Sequence, residues 1–124
     1  MTSVLNVDEI AAKDGTSAVT LTKQSAAKMW SDFDGNTSNT IMGSFNLSSV
    51  DDLTTGTFRH NLTSSMSDAH YSAHHTATDD AATGTSTNSV WNKLSGSFKG
   101  ECRNVASSLR DRDSCLSVVH GDLA

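Results

Sequence analysis

Proline is missing altogether from this chain of 124 residues, so strand and helix ends must be set by glycine, asparagine, aspartate and serine. Cysteine occurs only at Cys102 and Cys115, which excludes a disulfide framework of the kind that holds small secreted domains together. The two would face each other if residues 102–108 and 109–115 were the arms of one tight hairpin, but Arg110, Asp111, Arg112 and Asp113 read as a wider turn. A single disulfide stays open. Nothing suggests an oxidising compartment, and free buried thiols are the expectation. Aromatic residues make up 6% and hydrophobic residues 35%, against about 45–50% apolar usage, glycine included, in ordinary globular domains. One chain therefore builds a thin core. Basic charge is scarce as well: nine Lys and Arg stand against fourteen Asp and Glu, for a net charge of −5. Apart from Arg103, Arg110 and Arg112 the cations are scattered, whereas nucleic-acid binding needs a clustered cationic face; no nucleic-acid partner is expected. No apolar run approaches the roughly 20 residues that span a bilayer, so membrane insertion is not expected. The N-terminus lacks the basic, apolar, small-residue order of a signal peptide, and assembly in a cytoplasm is expected.

Serine and threonine are abundant instead, with 20 Ser and 15 Thr among the 124 positions. Small hydroxylated side chains suit strands and turns better than helix interiors. "SVLNVDEI" reads as a short strand closed by the turn "KDGTS". In "TKQSAAKMW", the one convincing helix, Thr22 is the N-cap, the Ala, Lys, Gln and Met are good helix formers, and Ala26, Met29 and Trp30 share a face. That face is expected to dock on a core or a neighbouring subunit. "DFDGNTSNT" is a turn cluster, "IMGSFNLSSV" one strand with Phe45 and Leu47 on the same face, and "DDLTTGT" a turn. In "TFRHNLT", Phe58, His60 and Leu62 alternate with Arg59 and Asn61; further on, Tyr71, Ala73 and His75 alternate with His70, Ser72 and His74. "DDAATGTSTN" is a long polar loop, and "SVWNKLSGSFKG", "ECRNVASS" and "CLSVVHGDLA" supply three more strands. About six or seven strands without βαβ alternation predict an all-β antiparallel β-sandwich with a short N-terminal helix. Residues 1–30 then form an N-terminal segment of strand plus helix, and residues 31–124 the sandwich domain.

Four of the five histidines fall within residues 58–76, the first place to look for a metal or catalytic centre. In a strand His70 and His74 stand about 13 Å apart, too far to hold one ion. His74 and His75 point to opposite faces. His60, between Phe58 and Leu62, reads as a half-buried histidine with one hydrogen bond. No metal and no cofactor are expected within one chain; the arrangement that remains takes one histidine from each of three subunits on a threefold axis. Serines, histidines and acids are plentiful, but no nucleophile-elbow sequence accompanies them. Asp51, Asp52, Asp79 and Asp80 lie where aspartate caps turn amides. No catalytic residue is identified, and the chain reads as no enzyme. Trp91, after the long polar loop, and Tyr71 are candidate stacking platforms for a sugar ring, with core packing the plainer use of each.

Several segments taken together, "LNVDEI", "DGTSAVTLTKQSAAKMW", "FNLSSVDDLTTGTFRHNLTSSMSDAHYS" and the terminal "VVHGDLA", resemble small tail-fibre-type virion structural proteins of tailed bacteriophages, particularly those of marine bacteria and cyanobacteria. That family carries a T-K-Q-S-A-A-K-x-W helix before a β domain, a strand pair of the form G-x-Y/F-x-x-x-F/L then x-M-x-D-x-x-Y, and an end near V-H-G-D-L. The matching positions here are Gly56, Phe58 and Leu62, then Met66, Asp68 and Tyr71, then Val119 to Leu123. The match covers about half of the chain. His60 stands where the family has an apolar residue, His70, His74 and His75 enrich a strand commonly poor in histidine, and residues 76–114 match nothing in the family.

The resemblance implies a homotrimeric virion component, a tail fibre or fibre tip that contacts the host surface; a capsid decoration or adaptor protein without receptor binding is the alternative. It implies other tail or virion proteins and a host surface receptor as partners, with polysaccharide as the receptor chemistry that Trp91 also suggests. On this reading Met29, Trp30, Lys23 and Lys28 make oligomer or virion contacts. Trp91, Tyr71, His74, Arg110 and Arg112 face the receptor, beside loops at 78–88 and 110–114. A thin core favours a closed oligomer, and lysis of the host would carry a protein assembled in its cytoplasm outside the cell.

Overall fold

The computed structural model describes residues 26–37, 39–78, 87–104 and 106–124. Eight strands run through them: β1 (Met29–Asp34), β2 (Thr40–Phe45), β3 (Leu47–Thr54), β4 (Thr57–Leu62), β5 (Ser72–Thr78), β6 (Thr87–Leu94), β7 (Ser97–Arg103) and β8 (Ser114–His120). They form two antiparallel four-stranded sheets, β2-β1-β8-β5 and β3-β4-β7-β6. Inward residues of both sheets share one core, in a sandwich-like arrangement. The all-β expectation therefore holds.

Two local readings are corrected. No helix is present among the described residues; residues 22–25 of the expected helix lie outside them, and Met29 and Trp30 open β1 on opposite faces. Met29 is fully buried and Trp30 is 45% exposed. Pairing of Met29 with Val119, and of Trp30 with Phe45 and Val118, overrides the local helix propensity of this segment, as tertiary context commonly does. The strand expected over "IMGSFNLSSV" is two strands in different sheets, parted at Asn46. Asn46 takes a φ of 54°, a left-handed conformation that asparagine tolerates. Its side chain fastens the crossing: Nδ2 donates to the carbonyls of Lys28 at 2.9 Å and Ser64 at 3.1 Å, and Oδ1 accepts from the Ser64 N–H at 2.7 Å. Phe45 is thus exposed on one sheet while Leu47 packs against the core from the other. "DDLTTGT" is mostly strand too, with only Thr55 and Gly56 turning.

Alternation places the core as the sequence predicts in β4 and around β5. Phe58, His60 and Leu62 are buried, as are Tyr71, just before β5, and His75. The core has three layers. One apolar cluster holds Met29, Leu62, Met66, Tyr71, Phe98 and Val119; the other holds Phe33, Phe58, Ala77, Cys102 and Cys115. The inward positions between them are Ser31, His60, His75, Gly100 and Ser117, and the four with side chains are buried polar groups.

The first cluster marks a proximal pole, where the chain joins β1 and Asn46 makes its crossing. There Met66 pairs with Leu123, the Ser67 N–H donates to the Asp122 carbonyl at 2.8 Å, and the Ala124 N–H donates to the Ser65 carbonyl at 3.0 Å. A Cβ on Gly121 would stand 2.8 Å from Tyr71 Cβ and 2.9 Å from Met66 Cε, so only glycine allows this approach. The second cluster marks the distal pole. Here lie the β1–β2 and β3–β4 turns, segment 104–113, and Thr78 and Thr87, which flank residues 79–86. Asp111 Oδ1 accepts from the Gly56 N–H at 2.6 Å and Asn36 Nδ2 donates to Asp113 Oδ1 at 2.7 Å, tying segment 104–113 to both turns.

Candidate functional site

The polar middle layer continues into the second cluster as a row of reactive side chains. Ser117 Oγ lies 3.1 Å from His60 Nε2 and 2.8 Å from His75 Nδ1. His75 Nε2 lies 3.1 Å from Cys102 Sγ, which is 3.9 Å from Cys115 Sγ; Cys115 Sγ is 3.7 Å from the Arg112 carbonyl oxygen. Gly100 makes room for this row, because a Cβ built on it would stand 3.0 Å from the His75 ring. The thiols come from β7 and β8 in facing sheets, not from one hairpin, and both are free and fully buried.

Donor counting assigns the protons. The assignment that leaves no buried N–H or O–H of the row without an acceptor has His60 Nε2–H donating to Ser117, Ser117 donating to His75 Nδ1, and His75 Nε2–H donating to Cys102. His60 Nδ1, which has no hydrogen-bond partner among the described residues, is then a bare lone pair and not a stranded proton. Hydrogen bonding from Cys115 first, then from His75, holds the Cys102 thiol down to about 6 against the opposing effect of burial. The bond to Cys102 and burial push Cys115 up. Burial first, and the neighbouring His75 second, push His60 down to about 3, so it is neutral in the fold. Its ring acts as an aromatic core residue, stacked on Phe98 with centroids 4.5 Å apart and edge-on to Phe33 at 5.4 Å. The chemistry open to this row is proton exchange and metal ligation within the core; acyl transfer needs a substrate path to Cys102, whose side chain is sealed.

The sequence-predicted receptor residues do not form one site. Tyr71 is buried, with its hydroxyl 2.9 Å from the carbonyls of both Leu94 and Ser97. It anchors the core and presents no ring face to a ligand. Arg112 is also buried, which withdraws it from a receptor. Trp91 faces outward on β6 with Lys99 Nζ 4.4 Å over its ring, His74 faces outward on β5 in the opposite sheet, and Arg110 is exposed at the distal pole. Among the expected oligomer contacts, Lys23 lies outside the described residues. Met29 is lost to the core, and Lys28 is partly buried with its backbone bonded to Val119 and Asn46. Trp30 remains available. It stands in a row of outward residues straight across one sheet, Phe45, Trp30, Val118 and His74, with Leu116 exposed beside it.

Sequence reasoning weighed the histidines in pairs along one strand and the cysteines as a hairpin, and so missed the cluster of His75, Cys102 and Cys115. Each sits at an inward position of an alternating strand, and that alternation is the signal that brings them together. No protein-family model, curated protein or solved structure matches the chain.

Proposed function

We propose that this chain is a virion structural protein of a tailed bacteriophage, a tail fibre or fibre tip that contributes to host-surface attachment. The observation that carries the reading is the separation of the two poles. The chain joins β1 at the proximal pole, whereas segment 104–113 and the residues flanking 79–86 lie at the distal pole. Strands of six to eight residues put about 20 Å between them. A fibre tip needs this layout, with attachment at one end and recognition loops at the other. Of the residues that carry the family resemblance, Met66, Tyr71 and Gly121 lock the proximal pole and Gly56 and Phe58 lie at the distal one; Arg110 to Asp113, which have no counterpart in the family, are distal as well.

The proposed finer architecture is a β-sandwich preceded by an N-terminal attachment segment and assembled as a homotrimer. The trimer forms through the outer face of β2-β1-β8-β5, where Trp30 is 45%, Phe45 53% and Leu116 42% exposed; a closed oligomer covers such a patch. At the distal pole a groove of about 610 Å³ between Asp34, Thr37, Met42, Asp113 and Ser114 offers carboxylates and hydroxyls to the hydroxyls of a host polysaccharide. The protein is assembled in the host cytoplasm, takes other tail proteins as partners and carries out no catalysis. A capsid decoration protein would leave the distal segments without a role. Removing residues 1–25 spares all eight strands and should yield a soluble β domain that fails to enter particles; particles that still carry the truncated protein would refute attachment through that segment.

A further inference from the structure

The row of buried reactive groups has a use that virion assembly leaves unexplained. His75, Cys102 and Cys115 bring one imidazole nitrogen and two sulfurs within 4.8 Å of one another. We infer that these three residues form a structural site for one thiophilic divalent metal ion, with zinc the ion they fit.

The distances carry the assignment. Two thiolates about 2.3 Å from a tetrahedral zinc are about 3.8 Å apart, and Cys102 Sγ and Cys115 Sγ are separated by 3.9 Å. A sulfur and a ligating imidazole nitrogen are about 3.5 Å apart in the same geometry. His75 Nε2 and Cys102 Sγ, at 3.1 Å, need only a small opening. The Arg112 carbonyl oxygen, 3.7 Å from Cys115 Sγ, stands at an edge distance from which it can close the shell. The charge also balances. One divalent ion with two thiolates and a neutral imidazole is net neutral, the state that a fully buried site tolerates. The second shell is in place, because a ligating imidazole donates its other N–H to a fixed acceptor, and Ser117 Oγ is 2.8 Å from His75 Nδ1.

Binding takes the ion in and sends the remaining thiol protons to solvent, with both sulfurs bound as thiolates. No electron is transferred. His75 changes tautomer, so that Nε2 ligates and Nδ1–H donates to Ser117 Oγ, whose second lone pair goes on accepting from His60 Nε2–H. The ion joins β7 of one sheet to β5 and β8 of the other, adding to a thin apolar core a staple of the kind that small domains use.

The test uses the full chain, reduced and free of oxygen, titrated with Co²⁺ as a spectroscopic probe and then with Zn²⁺. The expected result is one ion per chain, a thiolate-to-cobalt charge-transfer absorption that zinc removes, and a rise in the melting temperature. Cys102→Ala and Cys115→Ala abolish the absorption, and Ser117→Ala weakens binding by about 10- to 100-fold. A reduced, folded wild-type chain without the charge-transfer band overturns the site, and this readout does not depend on any variant folding. Binding undiminished in Cys102→Ala overturns it as well, by placing the ion away from this cluster. A chain that keeps a Cys102–Cys115 disulfide under these conditions overturns it too.

Discussion

Lowering the pH from 7 to about 4.5 protonates a histidine in the unfolded chain but not His60 in the fold. The ordinary value for the free side chain is 6.5, and in the core it is pushed down to about 3 by burial first and by His75 second. Below 6.5 the unfolded state therefore takes up a proton that the folded state refuses. Stability is complete above that value and is lost as the pH falls toward 3. Two units below the free value, at about 1.4 kcal/mol per unit, the loss is about 3 kcal/mol, a large share of the roughly 5–15 kcal/mol that holds a domain together. The groups facing His60 are Phe33 from β1, His75 from β5, Phe98 from β7 and Ser117 from β8, with the Cys102 and Cys115 thiols beyond His75. The carboxylates act in a separate window. Asp34, held low by the Asn36 and Thr37 amides, and Asp68, held low by the His70 amide, support the fold until the pH falls below the ordinary carboxylate range. Urea melts in a pH series, on the wild type and on His60→Phe, measure the effect. Phenylalanine keeps the stack on Phe98 and gives up the Ser117 bond, for about 1 kcal/mol at neutral pH, but has nothing to titrate. The slope between pH 6.5 and about 4.5 should fall by the His60 share. A wild type equally stable at both ends of that range, or the same slope in His60→Phe, would refute the reasoning.

Asn46→Ala removes three side-chain hydrogen bonds and forces alanine into a left-handed φ. It should cost about 2–3 kcal/mol in urea melts, of which Asn46→Gly recovers about 1 by relieving the backbone. Gly100→Ala drives a methyl group to 3.0 Å from the His75 ring; a loss of about 1–3 kcal/mol is expected, and a smaller one when His75 is also replaced by serine. If the proposed trimer forms through the outer apolar row, Trp30→Ser combined with Phe45→Ser strips that row and should yield folded monomers in sedimentation analysis. A trimer that survives the pair would place assembly on another face.

Period-two alternation made much of the fold legible in the sequence. Phe58, His60 and Leu62 face the core as that pattern requires, and so do Tyr71 and His75. The errors arose where distant partners overrule local preference. Nothing near Met29 and Trp30 announces that Val119 and Val118 will hold them in a strand. The break at Asn46 depends on Lys28 and Ser64, each 18 residues away. The polar layer depends on distant partners, because Ser117 reaches His60 in the facing sheet across 57 positions and His75 on the neighbouring strand across 42. A reading along the chain finds each histidine and each cysteine but not the geometry that joins them. Trp91, Tyr71, His74, Arg110 and Arg112 looked like one recognition set for the same reason, and the fold scatters them over two sheets, one pole and the core.

The proposed tail-fibre function is tested most directly by locating the distal pole on intact virus particles. An antibody against residues 104–113, visualised by immunogold electron microscopy, should label the outer end of the tail in low copy, on the side facing away from the particle. Label spread over the capsid in high copy would contradict the fibre assignment and identify a decoration protein.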